Sequence, residues 1–184
     1  MIGLPLALLY TNLGEWLLHR YVLHGLGRRR ESFWSFHWHE HHRHARREEM
    51  RDCDYDRGVL GEHAHGKEAA ALLGAAVMHL PLARRAPWFT AGVVFSIANY
   101  YRVHKRSHRD PAWARAHLPW HYDHHMGPDQ HANWCVSHDW FDRILGTRKP
   151  WVGTPAEAAQ REKLARVAAK RTRATHPEAP GREV

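Results

Sequence analysis

Residues 119–127 read PWHYDHHMG and carry three imidazoles, at His121, His124 and His125. Residues three and four apart lie on one face of an α-helix, so a helix here aims these rings into a common space. Imidazole is the commonest side-chain metal ligand, which makes this stretch a candidate half of a metal site. Moving outward, three further clusters appear: His104-x3-His108 in YRVHKRSHRD, His37-x3-His41-His42 in FHWHEHHRH, and His19-x4-His24 in EWLLHRYVLHG. His104 and His108 obey the helical rule. His41 lies one turn from His37, with His42 at the edge of that face. His19 and His24 are five apart, about 140° around an ideal helix. They converge only where the helix ends or bulges, or they serve different metals.

His19, His24, His37, His41, His42, His104, His108, His121, His124 and His125 are ten candidate ligands among 19 histidines in a chain of 184 residues. Two metal ions with about five ligands each would use all ten, and neutral imidazole suits iron, zinc, copper and nickel. Structural zinc takes four ligands and usually recruits cysteine. Cys53 and Cys135 are far apart, form no CxxC pair and read as ordinary free thiols. The donor set therefore favours a dimetal site over a single structural zinc.

The chain carries 27 Lys+Arg against 19 Asp+Glu, a formal charge of +8. Such a charge suits an anionic partner, a phospholipid surface or nucleic acid. No zinc-finger spacing or RNA-binding motif occurs, so nucleic acid is not expected.

Residues 1–18 are apolar up to Glu15, lack the marks of a cleaved signal peptide and read as a retained helix. Residues 25–32 form a basic break through Arg28, Arg29 and Arg30. Residues 33–47 read as a helix with Ser32 as its N-cap, and residues 48–66 as a loop. Two apolar runs follow, residues 69–83 and 86–101, separated by Arg84, Arg85 and Pro87. Each spans roughly 23 Å as a helix, against about 20 residues for a full bilayer crossing. Residues 133–146 read as a partly helical closing segment, and residues 155–173 as a solvated helix with a frayed tail. Trp16, Trp34, Trp38, Trp88, Trp113 and Trp120 suit a membrane interface. The expected architecture is all-α: a membrane-associated helical hairpin with a cytosolic helical cap that carries a histidine-rich dimetal site. Residues 1–150 form the catalytic domain and residues 151–184 a basic, partly helical tail.

At the histidine clusters the chain resembles the fatty acid hydroxylase / sterol desaturase superfamily, membrane di-iron enzymes with histidine boxes on the cytosolic side. The resemblance spans residues 15–147. HRYVLHG is similar to the first box, and PWHYDHHMG followed by NWCVSHDWFDRILGT to the last box and closing segment. It implies metal ligands at His19 and His24, His41 and His42, His104 and His108, and His121, His124 and His125. The second box departs from the usual HxxHH because Trp38 stands three residues before His41. His37 supplies the missing ligand, with His39 as its competitor. Cys135 stands where the family more often has Gly. His138, Asp123 and Asn133, with His39, are candidates for groups that orient the ligands; His44, His117 and His131 are extra.

The resemblance further implies two iron ions, with zinc able to replace them in purified protein. It implies O2-dependent oxidation, hydroxylation first, of a C–H bond in a lipid substrate. It implies an external electron donor, cytochrome b5-like or ferredoxin-like, and an integral membrane protein whose histidine boxes face the cytoplasm. No catalytic side chain beyond the metal ligands is required. A carotenoid hydroxylase shares this chemistry. A zinc hydrolase using HxxEH, through His37, Glu40 and His41, leaves the other boxes unexplained. A metal-binding protein without enzymatic activity is the remaining class. Asp52-x-Asp54-x-Asp56 lacks the Gly and closing Glu of a calcium loop.

Overall fold

The computed structural model describes residues 2–175, and all their regular structure is helical. The chain divides into two units, residues 1–150 and residues 151–184.

In the first unit α1 (Gly3–Leu17) packs along α4 (Pro87–Arg109). Close approach depends on Gly92: a Cβ there would stand 2.6 Å from the Cβ of fully buried Ala7. The helix α3 (Ala64–His79) also lies on α4, joined to it by a 3-10 turn, Leu80–Arg84, that contains Pro81. Proline opens three successive helices: Pro87 in α4, Pro111 in α5 (Pro111–His117) and Pro119 in α6 (Pro119–Met126). Its missing N–H costs nothing in the first turn, where that group has no intrahelical partner. Helix α7 (Trp140–Ile144) closes the unit. The second unit holds α8 (Pro155–Thr175). Residues 176–184, most of the expected frayed tail, lie outside the described residues.

Two of the described segments adopt π geometry. Helix α1 runs into a π turn, Leu18–Leu23, in which the His24 N–H donates to the His19 carbonyl at 2.9 Å. A second π turn, His37–His41, leads into α2 (His42–Arg47), and there the His42 N–H donates to the His37 carbonyl. Each π turn carries one more residue than an α turn, so positions i and i+5 come to one face. Ser32 does not cap this helix: its hydroxyl accepts from the Trp34 N–H at 3.2 Å inside a turn, and helical backbone begins at Ser35. The stretch expected as a loop holds a 3-10 turn, Cys53–Asp56, and the start of α3.

The membrane expectation is corrected. No helix among the described residues is long and apolar enough to cross a membrane. The reason is local. Helix α3 spans 16 residues and carries Lys67 and Glu68 near its start, while the 23 residues of α4 turn polar from Arg102 onward. A crossing needs about 20 predominantly apolar residues. The spanning hairpin, the integral-membrane placement and the cytoplasm-facing boxes therefore fall. With them fall the partner expectations made on the same footing: the membrane, the lipid substrate and the external electron donor. Two tryptophans assigned to an interface have structural work instead. Trp16 is buried and donates Nε1–H to Thr147 Oγ1 at 2.9 Å, and Trp120 donates to the Val136 carbonyl at 2.8 Å.

Candidate metal centre

The ten histidines meet in the interior, none more than 3 % exposed. They fall into two groups. His19, His24, His37, His42 and His124 each offer a nitrogen within 4.8 Å of the others, as do His41, His104, His108 and His125. His121 joins the second group, its Nε2 3.1 Å from His108 Nε2. The groups touch where the rings of His42 and His125 stack, centroids 4.3 Å apart.

Backbone register decides the membership. The π turns bring His19 to His24 and His37 to His42, both i,i+5 pairs, into the first cluster. Ordinary α-helix brings His104 to His108 and His121 to His125, both i,i+4 pairs, into the second. Each adjacent pair is divided, with His42 and His124 in the first cluster and His41 and His125 in the second.

Six rings are held through Nδ1. His19 Nδ1–H donates to the Trp134 carbonyl at 2.5 Å, and His124 Nδ1–H to the Ala132 carbonyl at 2.7 Å. Gln130 holds His42 Nδ1 at 3.1 Å. In the second cluster His41 donates to Asp52 Oδ2 at 2.8 Å, His104 to Glu68 Oε1 at 2.5 Å, and His108 to the Met50 carbonyl at 2.9 Å. At the five rings whose partner is a carbonyl or a carboxylate, the proton held on Nδ1 leaves Nε2 as a bare lone pair, and such outer partners orient a ligating imidazole.

Burial, reinforced by neighbouring imidazoles, pushes the pKa values of His19, His37, His42, His108, His121 and His125 well below the usual histidine value. Burial likewise depresses His124, to about 3. These seven rings are therefore neutral near pH 7, as metal ligation requires. Burial alone would raise the carboxyls of Asp52 and Glu68. The bonds from His41 and His104, aided for Glu68 by the Tyr55 hydroxyl, outweigh it and keep both below their ordinary values.

The donor set fits metal ions. Nε2 of His19 stands 3.0 Å from Nε2 of His37, and Nε2 of His24 stands 3.0 Å from Nε2 of His42. His124 Nε2 lies 3.2 Å from both His24 Nε2 and His42 Nε2. His124 carries its proton on Nδ1, so its Nε2 lone pair faces the Nε2 atoms of His24 and His42, a grouping of donor atoms that a cation fits. Nε2 of His41, His104 and His125 is buried without any hydrogen-bond partner. With metal–nitrogen bonds of about 2.1 Å, ligands at a right angle stand about 3.0 Å apart and tetrahedral ones about 3.4 Å. The observed separations suit five or six ligands better than four.

The remaining candidates lie elsewhere. His39 Nε2 bonds the Arg28 carbonyl at 3.0 Å and stays out of both clusters. His138 is exposed and stacks on Trp140. His44 reaches Asp52 Oδ1 at 3.4 Å, His117 stacks on Trp113, and His131 contacts Arg28 and stacks on Trp38. The HxxEH arrangement is not assembled, because His37 and His41 enter different clusters and Glu40 pairs with Lys67 Nζ at 3.3 Å.

Asp123 and Asn133 both bind Arg148, at 2.8 and 2.9 Å. Asn133 adopts φ +59°, a left-handed conformation that asparagine tolerates better than most residues. It lies between Ala132 and Trp134, whose carbonyls hold His124 and His19. Asp142 fixes that strip by accepting the N–H groups of Trp134 and Cys135, each at 2.8 Å. Sequence reasoning missed Met50, Asp52, Tyr55, Glu68, Gln130 and Arg148. Asp52 did carry a signal, in the acidic repeat examined as a calcium loop.

No protein-family profile matches the chain, and neither curated proteins nor solved structures give a match. The resemblance to the fatty acid hydroxylase / sterol desaturase superfamily is thus corrected. Neither a family match nor a membrane-crossing helix supports it, and what stands is an all-α chain with buried histidine clusters fit to bind metal.

Proposed function

We propose that the protein is a dimetal oxidoreductase. His19, His24, His37, His42 and His124 hold one iron ion, and His41, His104, His108, His121 and His125 hold the second. The observation carrying this reading is the pair of adjoining, buried, all-imidazole clusters whose ring nitrogens gather at two points. When bound, such an iron pair supplies the chemistry of O2 activation and the oxidation of an unactivated C–H bond.

The side chains have three tasks in this account. Ten neutral imidazoles donate lone pairs without adding charge, so two cations leave the centre strongly positive. Asp52 and Glu68 offset part of that charge through His41 and His104. Burial of every ring excludes bulk water from the reacting positions. No hydroxyl, thiol or free carboxylate needs to act as nucleophile, which separates this reading from a hydrolase.

The test is to load the metal-free protein with ferrous iron under anaerobic conditions, add O2, and follow uptake with 18O2 and a panel of alkyl probes. Oxygen uptake with 18O in a hydroxylated probe supports the proposal. Zinc-only binding, or ferrous protein inert to O2, contradicts it.

A further inference from the structure

Tyr55 is buried against the second cluster and has no part in holding a metal. Its ring stacks on His108 with centroids 5.3 Å apart, and meets His41 and His104 edge-on at 5.7 and 5.5 Å. Its hydroxyl donates to Glu68 Oε2 at 2.5 Å, on the same carboxylate that holds His104. On its other side Tyr55 packs against fully buried His65 at 5.0 Å. His65 in turn stacks on Tyr101 at 5.7 Å and 13°, and the Tyr101 hydroxyl donates to His65 Nε2 at 2.8 Å. Tyr101 is half-buried and lines a surface groove with Arg102, Lys105 and Arg106. Touching rings thus run from the cluster to the surface.

Each phenol on this path has its own base. Tyr55 faces the Glu68 carboxylate, and Tyr101 faces His65, which burial keeps neutral. A phenol near pH 7 gives up an electron readily only when its proton has somewhere to go. Plain aromatic packing does not call for a matched acceptor at both tyrosines.

We propose that Tyr55 is a one-electron redox side chain of the second cluster, and that Tyr55, His65 and Tyr101 form a hole-transfer chain to the surface. The proposal rests on the reading of the centre as redox-active. Phenols yield electrons only to strong oxidants, so the chain carries unspent oxidising equivalents outward. Were an iron pair held there and left over-oxidised without substrate, Tyr55 would give it one electron and pass its proton to Glu68. Tyr101 then gives one electron to Tyr55, which recovers its proton from Glu68, while the Tyr101 proton passes to His65. A thiol or ascorbate in solution returns one electron to Tyr101, and His65 returns the proton. Over the whole sequence the metal pair would gain one electron and the soluble reductant would lose one.

The zinc-loaded full chain tests this without iron or O2, because zinc can occupy the nitrogen sites and carries no redox chemistry of its own. A ruthenium tris-bipyridine photo-oxidant with a sacrificial acceptor injects the hole. Transient absorption and freeze-trapped electron paramagnetic resonance follow the phenoxyl radical. The expected result is a long-lived radical in the wild type, lost in Tyr55→Phe and in Glu68→Gln, and slower to form in Tyr101→Phe. Difluorotyrosine installed at position 55 keeps the ring and its bonds, and must shift the hyperfine pattern. A long-lived radical unchanged by Tyr55→Phe, or a pattern unmoved by fluorination, overturns the proposal. So does the absence of any long-lived radical in the wild type. Failure of the iron reading shows separately, in the oxygen-uptake experiment.

Discussion

The two histidine clusters reach similar donor sets by different backbone routes. The first takes its paired rings from π turns with i,i+5 spacing, and the second from α-helix with i,i+4 spacing. Their outer partners differ as well. The first leans on neutral groups, the carbonyls of Ala132 and Trp134 and the Gln130 amide. The second leans on two carboxylates, Asp52 and Glu68, and one carbonyl. Anionic partners make an imidazole a stronger donor. The second cluster should therefore favour the more oxidised metal, and the redox-ready Tyr55 lies beside it.

The sharpest way to break this comparison is to remove one ligand from either side. His124→Ala should abolish metal binding in the first cluster and spare the second; His108→Ala should do the reverse. Each loss should exceed the roughly 10- to 100-fold penalty known for outer partners. Metal analysis after dialysis should then give one ion per chain in either variant. Loss of both ions from both variants would show that the clusters are one cooperative unit.

Acid should act next. The depressed imidazoles bind protons in the unfolded chain but not in the folded one once pH falls below the ordinary value of 6.5. Their contribution to stability is complete above that value and is lost as pH drops towards the folded pKa values. Each extra proton taken up on unfolding costs about 1.4 kcal/mol per pH unit. With several such rings, the urea midpoint of the metal-free protein should fall steeply below pH 6.5. A flat profile would mean that the rings are solvated when metal is absent.

A smaller effect separates the outer partners. Asp52→Asn and Glu68→Gln should weaken metal binding in the second cluster by roughly 10- to 100-fold and leave the first unchanged. Competition with a chromophoric chelator would measure both sites. Equal weakening of the two would erase the distinction drawn between them.

The smallest effect concerns the π turn itself. Deleting exposed Tyr21 should convert Leu18–Leu23 to α-helix and bring His19 and His24 to i,i+4 spacing. Metal stoichiometry should stay at the wild-type value, with a modest loss of stability. Loss of the first metal would show that the π geometry does more than align two rings.

The clustering of the ten histidines was legible because helical spacing leaves a direct trace in sequence, above all at His104/His108 and His121/His124/His125. Their partition was not. A π turn differs from an α turn by one residue and carries no composition signal, so His37 reads as a partner of His41 when its register pairs it with His42. The five-residue gap between His19 and His24 left a helix end, a bulge or two different metals open, and the π turn at Leu18–Leu23 is the bulge. Asp52 and Glu68 were hidden for another reason, since they reach the site through tertiary contacts of a 3-10 turn and the start of α3. The apolar hairpin misled because two short uncharged runs resemble bilayer segments until their lengths and polar ends are fixed. The closing segment was noticed, but not that its start, with Ala132 just before it, presents the Ala132 and Trp134 carbonyls to His124 and His19.

The most direct test of the dimetal claim is iron content with Mössbauer spectroscopy on protein loaded anaerobically with iron-57. Two irons per chain in two nitrogen-rich environments, one lost in His124→Ala and the other in His108→Ala, is the predicted result. A single iron, or none retained after loading, would contradict it.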